Sequence, residues 1–463
     1  MSKTVAKYQQ YAEYKDSGVE WLGEIPSHWQ TKKLKFILLD LVRGPFGSAL
    51  KKEFFLDSGF KVYEQKNCIR NDVTIGNSYI SKKMFQELDR FSIRENDLLM
   101  SCSGTIGKVV RVPESFEQGI INQALLIMRL NKNIVDLNYF LHVFRSSDIQ
   151  NQIKDNTQGG AMQNLVATDI FKSISITVPK IEEQTQIANF LDHETAKIDN
   201  LIEKQQQLIQ LLKEKRQAVI SNAVTKGLNP NVPMKDSGVE WLGEVPEHWT
   251  VSKFGYISQV VRGGSPRPAG DPTLFNGDYS PWVTVAEITK DDELYLTSTE
   301  TFLTKKGSEQ CRVFQAGTLL LSNSGATLGV PKILCINANA NDGVVGFEDL
   351  RIDTVYAYFY LSVLTNDLRE RVKQGSGQPN LNTDIVKAIS ITIPPVNEIK
   401  EIVADIKKKI DHFAKLMKSA ESAIQLMQER RTALISAAVT GKIDVRNWQN
   451  PNNNNEAKTE FSA

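Results

Sequence analysis

A fifteen-residue segment occurs twice in this chain: KDSGVEWLGEIPSHW at residues 15–29 returns as KDSGVEWLGEVPEHW at residues 235–249, with only two positions changed. Two further pairs follow in the same order. QNLVATDIFKSISITVP, ending at Pro179, matches PNLNTDIVKAISITIP, ending at Pro394, and LLKEKRQAVISNAVTKG from Leu211 matches LMQERRTALISAAVTGK from Leu426. Three landmarks in one order, offset by 215 to 220 residues, make the chain a tandem duplication, so it must fold as two similar bodies. A length of 463 residues agrees, being long for one core.

Between the first and second landmarks the copies diverge, apart from a serine-glycine stretch: MSCSGTIGKVVRV from Met100 and LSNSGATLGVPKI from Leu321. Short apolar runs such as DLLMS, QALLIMRL, TLLLS and SPWVTVAEI, separated by Gly, Pro and Asn, read as strands of α+β domains. After each SITVP or SITIP the texture changes, with no Gly or Pro from about residue 182 to 226 and from about 397 to 440. Each stretch predicts a helix of roughly 40 residues, about 60 Å long, whereas a globule of about 150 residues is only some 30–35 Å across. Leu191, Ile198, Leu201, Leu208, Leu212 and Val219 form an expected coiled-coil seam on the first helix, and Ile402, Ile406, Phe413, Leu416, Ala420, Ala423, Met427 and Leu434 one on the second.

Equivalent seams bury each other most simply with the helices antiparallel about a pseudo-two-fold axis, one domain at each end in a circular arrangement. The expected division is a first domain at 1–180, a helix at 181–228, a second domain at 229–395, a helix at 396–445 and a disordered Asn-rich tail at 446–463. Closure of the ring makes a stricter demand. Residues 15–29 should pack around residues 431–439, as residues 235–249 do at the end of the first helix.

No catalytic pattern emerges. SGTIGK at residues 103–108 lacks the spacing of a phosphate loop, and Val109 stands where its hydroxyl residue belongs. His28, His142, His193, His248 and His412 show no metal-ligand spacing, and Cys68, Cys102, Cys311 and Cys335 form no C-x-x-C pair, so no metal or disulfide framework is expected. A net charge of +1 leaves any basic surface local. The first residues lack a signal peptide's apolar core and no run is long enough to span a membrane, which suits a soluble intracellular protein.

The repeated KDSGVEWLGE-[IV]-P-x-HW, the domain close I-S-I-T-[VI]-P, and the helix that opens IEEQTQIANFLD and closes RQAVISNAVTKG resemble the specificity subunits of type I restriction-modification systems over nearly the whole chain. That resemblance implies two target-recognition domains separated by two helices, each domain reading half of a split DNA target. It implies a non-catalytic, cytoplasmic subunit of a bacterial or archaeal phage-defence complex, partnered by two adenine-methyltransferase and two restriction/translocase subunits. S-adenosylmethionine, ATP and Mg would reside on those partners, with no cofactor here. Open beside it stand a methylation-only or other defence complex of the same architecture, and a scaffold whose domains bind proteins. One departure is that Glu183 and Gln184 become Glu398 and Ile399 in the second copy, so partner contacts at the two helix starts need not match.

Phosphates call for Lys, Arg and backbone amides, and base edges for Arg, Asn, Gln and Ser. The matching basic glycine loops, Arg43-Gly44 with Lys51 and Lys52 downstream, and Arg262-Gly263, read as phosphate contacts or as plain turns. The corresponding polar loops at 157–165 and 373–381 offer Gln158, Gln163, Gln374 and Gln378 to a groove, or simply close the domain. Polar residues taken as unshared are the candidates for sequence readout: Gln65, Lys66, Asn67, Arg70, Ser101, Ser103 and Asn122 in the first domain, and Arg267, Thr284, Lys290, Asn323 and Asn341 in the second. Trp21, Leu22 and Trp29, with Trp241, Leu242 and Trp249, read as core or helix-end packing.

Overall fold

The computed structural model describes residues 8–46, 49–155, 157–158, 164–165, 168–325, 327–373 and 380–451, with 157–158, 164–165 and 371–373 as backbone only. The chain divides into two compact units, Met1–Gln205 with Ser422–Ala463, and Gln206–Glu421. The first unit is therefore built from both ends of the sequence.

Each unit opens with the repeated segment folded as the same hairpin, Tyr14–Asp16 on Glu24–Pro26 and Met234–Asp236 on Glu244–Pro246. The sequence dictates its turn: the Asp16 and Asp236 carboxylates accept the Gly18 and Gly238 amides at 2.9 Å, and the Ser17 and Ser237 hydroxyls accept those of Val19 and Val239 at 3.1 Å. The next strand then pairs antiparallel with the second landmark, Gln30–Lys33 on Ser175–Val178 and Thr250–Lys253 on Ser390–Ile393. Two of the three shared landmarks thus form one platform, and the divergent sequence is the insertion between them.

In the first unit that insertion is a four-stranded antiparallel sheet ordered Leu38–Arg43, Leu125–Leu130, Leu98–Ser101, Val109–Arg111. A smaller three-stranded sheet beside it sets Phe60–Tyr63 parallel to Gly119–Ile121. The second unit repeats the plan as Gln259–Arg262, Val344–Glu348, Leu319–Ser322, Pro331–Leu334, with Tyr295–Leu296 added at the edge, and its second sheet sets Phe275–Val283 parallel to Ala338–Ala340. Leu98, Leu99 and Met100, like Leu319, Leu320 and Leu321, are wholly buried on both faces, which explains their continuous apolar runs.

The long helices span Ile181–Lys226 and Val396–Val439. Within the first unit the start of the first helix meets the end of the second: Leu191 and Ile198 share a core with Leu434, Ile435 and Ala438, and Arg431 Nε donates to Asp199 Oδ1 at 2.8 Å. Within the second unit Ile220, Ala223 and Val224 share a core with Ile399, Ile402 and Ile406. In both units the helices run antiparallel.

The expected seam is out of register in part. Leu201 and Leu208 are 50% and 42% exposed and Leu416 is 40% exposed. The positions turned inward on the first helix are Leu191, Thr195, Ile198, Ile202, Gln205, Ile209, Leu212, Arg216, Val219 and Ala223, strict alternations of four and three. On the second they run Ile410, Phe413, Met417, Ala420, Ile424, Met427, Arg431 and Leu434, preceded by Ile399, Ile402 and Ile406. The step of four from Ile406 to Ile410 follows another step of four, a local stutter in the heptad.

Both helix ends close on the platform of the other copy. Thr177 donates to the Val439 carbonyl at 2.6 Å and Thr392 to the Val224 carbonyl at 2.7 Å, with Tyr139 and Tyr356 hydroxyls at 2.9 and 2.7 Å from those threonines. These threonines satisfy last-turn carbonyls that the helix leaves unpaired. Gly441 (φ +74°) and Gly227 (φ +77°) then turn the chain out. A Cβ on Gly441 would lie 2.3 Å from Pro26, and one on Gly227 3.1 Å from Trp249, so residues 15–29 do pack at the end of the second helix and residues 235–249 at the end of the first.

A carboxylate on each helix start fixes the opening segment. Glu183 accepts from Tyr11 Oη at 2.7 Å and Trp29 Nε1 at 3.0 Å, with His28 Nε2 at 2.9 Å. Glu398 keeps Trp249 Nε1 and His248 Nε2, at 3.0 and 2.9 Å. The neighbouring departure from the repeat is internal: Gln184 is wholly buried, accepting the Asp136 amide and donating to the Ile134 and Pro179 carbonyls, and Ile399 replaces it in the apolar core.

Residues 446–451, read from sequence as the start of a disordered tail, are placed. Asp444 N–H donates to the Gln9 carbonyl at 2.8 Å, Arg446 lies 4.9 Å from the Tyr11 ring centre, and Trp448 packs edge-on to Phe190. Residues 452–463 lie outside the described residues.

Candidate nucleic-acid interface

The two basic glycine loops occupy the same corner of the two sheets. In the first unit the strand Leu38–Arg43 ends on Gly44, whose N–H donates to the Leu125 carbonyl at 3.0 Å, and a Cβ there would sit 1.9 Å from the Asn122 carbonyl oxygen. In the second, Gly263 N–H donates to the Val344 carbonyl at 2.9 Å, and its Cβ would sit 2.3 Å from the Asn341 oxygen. Only glycine allows the two backbones to approach this closely.

Asn122 and Asn341, read from sequence as unshared, are the same residue of this corner. Their amides donate to the Tyr63 and Val283 carbonyls, both at 2.9 Å, and their side-chain oxygens accept the amides of Ala124 and Gly343 at 3.0 and 3.1 Å. Ser101 pairs likewise with Ser322: both are wholly buried, and their hydroxyls accept the Lys108 and Val330 amides at 3.0 and 2.9 Å. Ser101 is therefore an internal support of the corner, whereas Asn122 and Asn341 help to build it and remain partly exposed.

The remaining first-domain candidates sort by exposure. Asn67 is wholly buried, its carboxamide bonded to Glu64, Asp72 and Ile75 backbone atoms. Gln65 Nε2 donates to the Ser103 carbonyl at 2.5 Å and the Thr105 carbonyl at 3.2 Å, pinning the serine-glycine loop. Lys51, Lys52, Lys66 and Arg70 are exposed, with Lys51 3.4 Å from Glu53 and Lys66 2.5 Å from Glu64. Buried Lys61 bonds Glu117 at 2.6 Å and holds its carboxyl below the ordinary glutamate range.

In the second domain Arg262, Arg267 and Lys290 are exposed. Arg262 Nε donates to the Asp342 carbonyl at 2.6 Å, and Lys290 bonds Glu287 at 2.9 Å. Thr284, partly exposed, caps the helix Val285–Thr289, its hydroxyl accepting the Glu287 amide at 3.4 Å. Asn323 is wholly buried with neither end of its carboxamide hydrogen-bonded; its counterpart in the first domain is Cys102, whose thiol burial pushes up. Gln163, Gln374 and Gln378 lie outside the described residues, and Gln158 is described only by its backbone pairing with Asn164.

One exposed residue at the corner escaped the sequence reading. Phe46, in RGPF, is 72% exposed, with the Arg43 guanidinium 5.4 Å from its ring centre. The available signal was an aromatic two residues beyond a glycine that must lie flat against a neighbouring strand.

Comparison with known proteins covers most of the chain. The family model described as the type I restriction modification DNA specificity domain matches twice, at residues 26–212 and 246–426. The StySPI type I restriction enzyme specificity subunit of Salmonella potsdam is 22% identical over 448 residues, covering 93% of this chain and 92% of its own, and the EcoKI specificity subunit of Escherichia coli strain K12 is 22% identical over 451, with the same coverage. Among solved structures, a chain from a study of assembly and conformational transition in a type I restriction-modification system aligns at TM-score 0.71 and 16% identity, over 90% of this chain and 99% of that one. The HsdS subunit from Thermoanaerobacter tengcongensis aligns at TM-score 0.52 and 16% identity, over 90% and 98%. At that identity the two structures speak for the fold.

Proposed function

The chain belongs to the type I restriction modification DNA specificity family, and on that premise we propose that each α+β domain reads one half of a split double-stranded DNA target while the paired helices set the unread spacer and dock methyltransferase subunits. The observation that carries this reading is the repeated corner. Arg43-Gly44 on Asn122 and Arg262-Gly263 on Asn341 share their backbone contacts, yet the side chains around them differ, as a common mount for different readers would.

The chain itself is non-catalytic in this proposal. Two modification and two restriction subunits supply S-adenosylmethionine, ATP and Mg chemistry, in the cytoplasm. Among the described residues no helix is long and apolar enough to cross a membrane. Purified chain that methylated DNA by itself would contradict this division of labour.

The test is the adenine methylome of cells carrying the chain with its modification partner. Replacing residues 30–160 with another member's segment should change one half of a split motif and leave the other half and the spacer untouched. A protein-binding scaffold would leave the methylome unaltered by the swap or by deletion.

A further inference from the structure

We infer that Phe46, held beside Arg43 at the corner of the first domain, reads a base directly and has no counterpart in the second domain; this rests on the proposal that the first domain contacts duplex DNA. The segment that leads into Phe46 is fixed from behind. Gly44 is pressed onto the Asn122 backbone and bonded to Leu125, and Pro45 is buried, so the ring leaves a rigid base and still stands 72% exposed. The cation over its face keeps ring and guanidinium together.

Arg43 also retains an unmet donor. Its Nε is buried with no hydrogen-bond partner, and the guanidinium lies beside the Cys102 thiol. Enclosed there, Nε is out of reach of DNA, and the outer nitrogens of the half-buried guanidinium are the ones left to face a groove. At the same corner of the second domain both features are absent: Ser265 replaces the ring and donates to Asp342 Oδ1 at 2.8 Å, while Arg262 Nε donates to the Asp342 carbonyl at 2.6 Å.

A phosphate would take the guanidinium and leave the ring without use. A major-groove step that sets guanine O6 and N7 beside a thymine methyl takes both, the donors on guanine and the ring on the methyl. The structure assigns that step to the half-site of the first domain.

The experiment measures binding of the chain, in complex with its methyltransferase partner, to duplexes carrying its methylome-defined target, and repeats the methylome with F46A. Wild type should lose about tenfold in affinity when thymine at that step is replaced by uracil, which removes only the methyl, and F46A should not distinguish the two duplexes. In the methylome F46A should relax that one position, R43K the adjacent guanine, and F46L should restore most of the thymine preference, with the second domain's half of the motif unchanged in all three. An unaltered F46A motif, or equal thymine-to-uracil losses in wild type and F46A, overturns the assignment. If the swap of residues 30–160 also leaves the motif unchanged, the domain-wise reading itself has failed; if the swap moves one half and F46A moves nothing, only the Phe46 assignment has.

Discussion

Gly44 and Gly263 are glycines for lack of space and not for an unusual backbone, since their Cβ atoms would strike carbonyl oxygens on the adjoining segment. Gly44→Ala should therefore destabilise the first unit by about 2–4 kcal/mol, measured by thermal or urea unfolding, and weaken only its half-site. Glu183 and Glu398 form a graded pair. The Glu183 side chain is 7% exposed and accepts from Tyr11 and Trp29 beside His28, whereas that of Glu398 is 25% exposed and has no equivalent of Tyr11. Glu183→Gln should cost about 2–3 kcal/mol and Glu398→Gln clearly less. Acid should expose a third contact. Lys61 holds the Glu117 carboxyl low, so its contribution is present above the ordinary glutamate pKa and is lost as pH falls through the depressed value. The melting temperature of wild type should converge on that of Glu117→Gln below about pH 4.

At the scale of elements, length and pairing of the helices were legible in the sequence, and the register was not. Each misread leucine has an apolar neighbour, Leu201 beside Ile202, Leu208 beside Ile209, Leu416 beside Met417, so two heptad frames fit and hydrophobicity alone cannot choose. Polar Thr195, Gln205 and Arg216 on the true seam weaken the correct frame further. Ile198→Ala should cost about 2–4 kcal/mol, and Leu208→Ala under about 1 kcal/mol, in the same unfolding assay; equal losses would restore the frame read from sequence. The corner shows the complementary limit. Asn122 and Asn341 looked unrelated because their flanks, INQALL and NANDGV, share almost nothing, yet backbone pairing makes them equivalent. Buried Ser101 and Asn67 were mistaken for surface candidates because polarity in sequence does not say where a side chain's partners lie.

The duplication governs the molecule as a whole. Closely matching landmarks form the platform and the helix closures, Thr177 on Val439 and Thr392 on Val224, while the sequence of the inserted sheets and of the first part of each long helix diverges. Such a frame keeps its geometry while its readers change. Lengthening both helices by one heptad should alter the spacer in the methylome and leave both half-motifs intact. The central claim is that the two inserted domains read separately, and the methylome of the chimera exchanged at residues 30–160 tests it most directly. A split adenine-methylation motif in which one half changes while the other half and the spacer persist is the predicted result; an unsplit motif, or a chimera that alters both halves together, would contradict it.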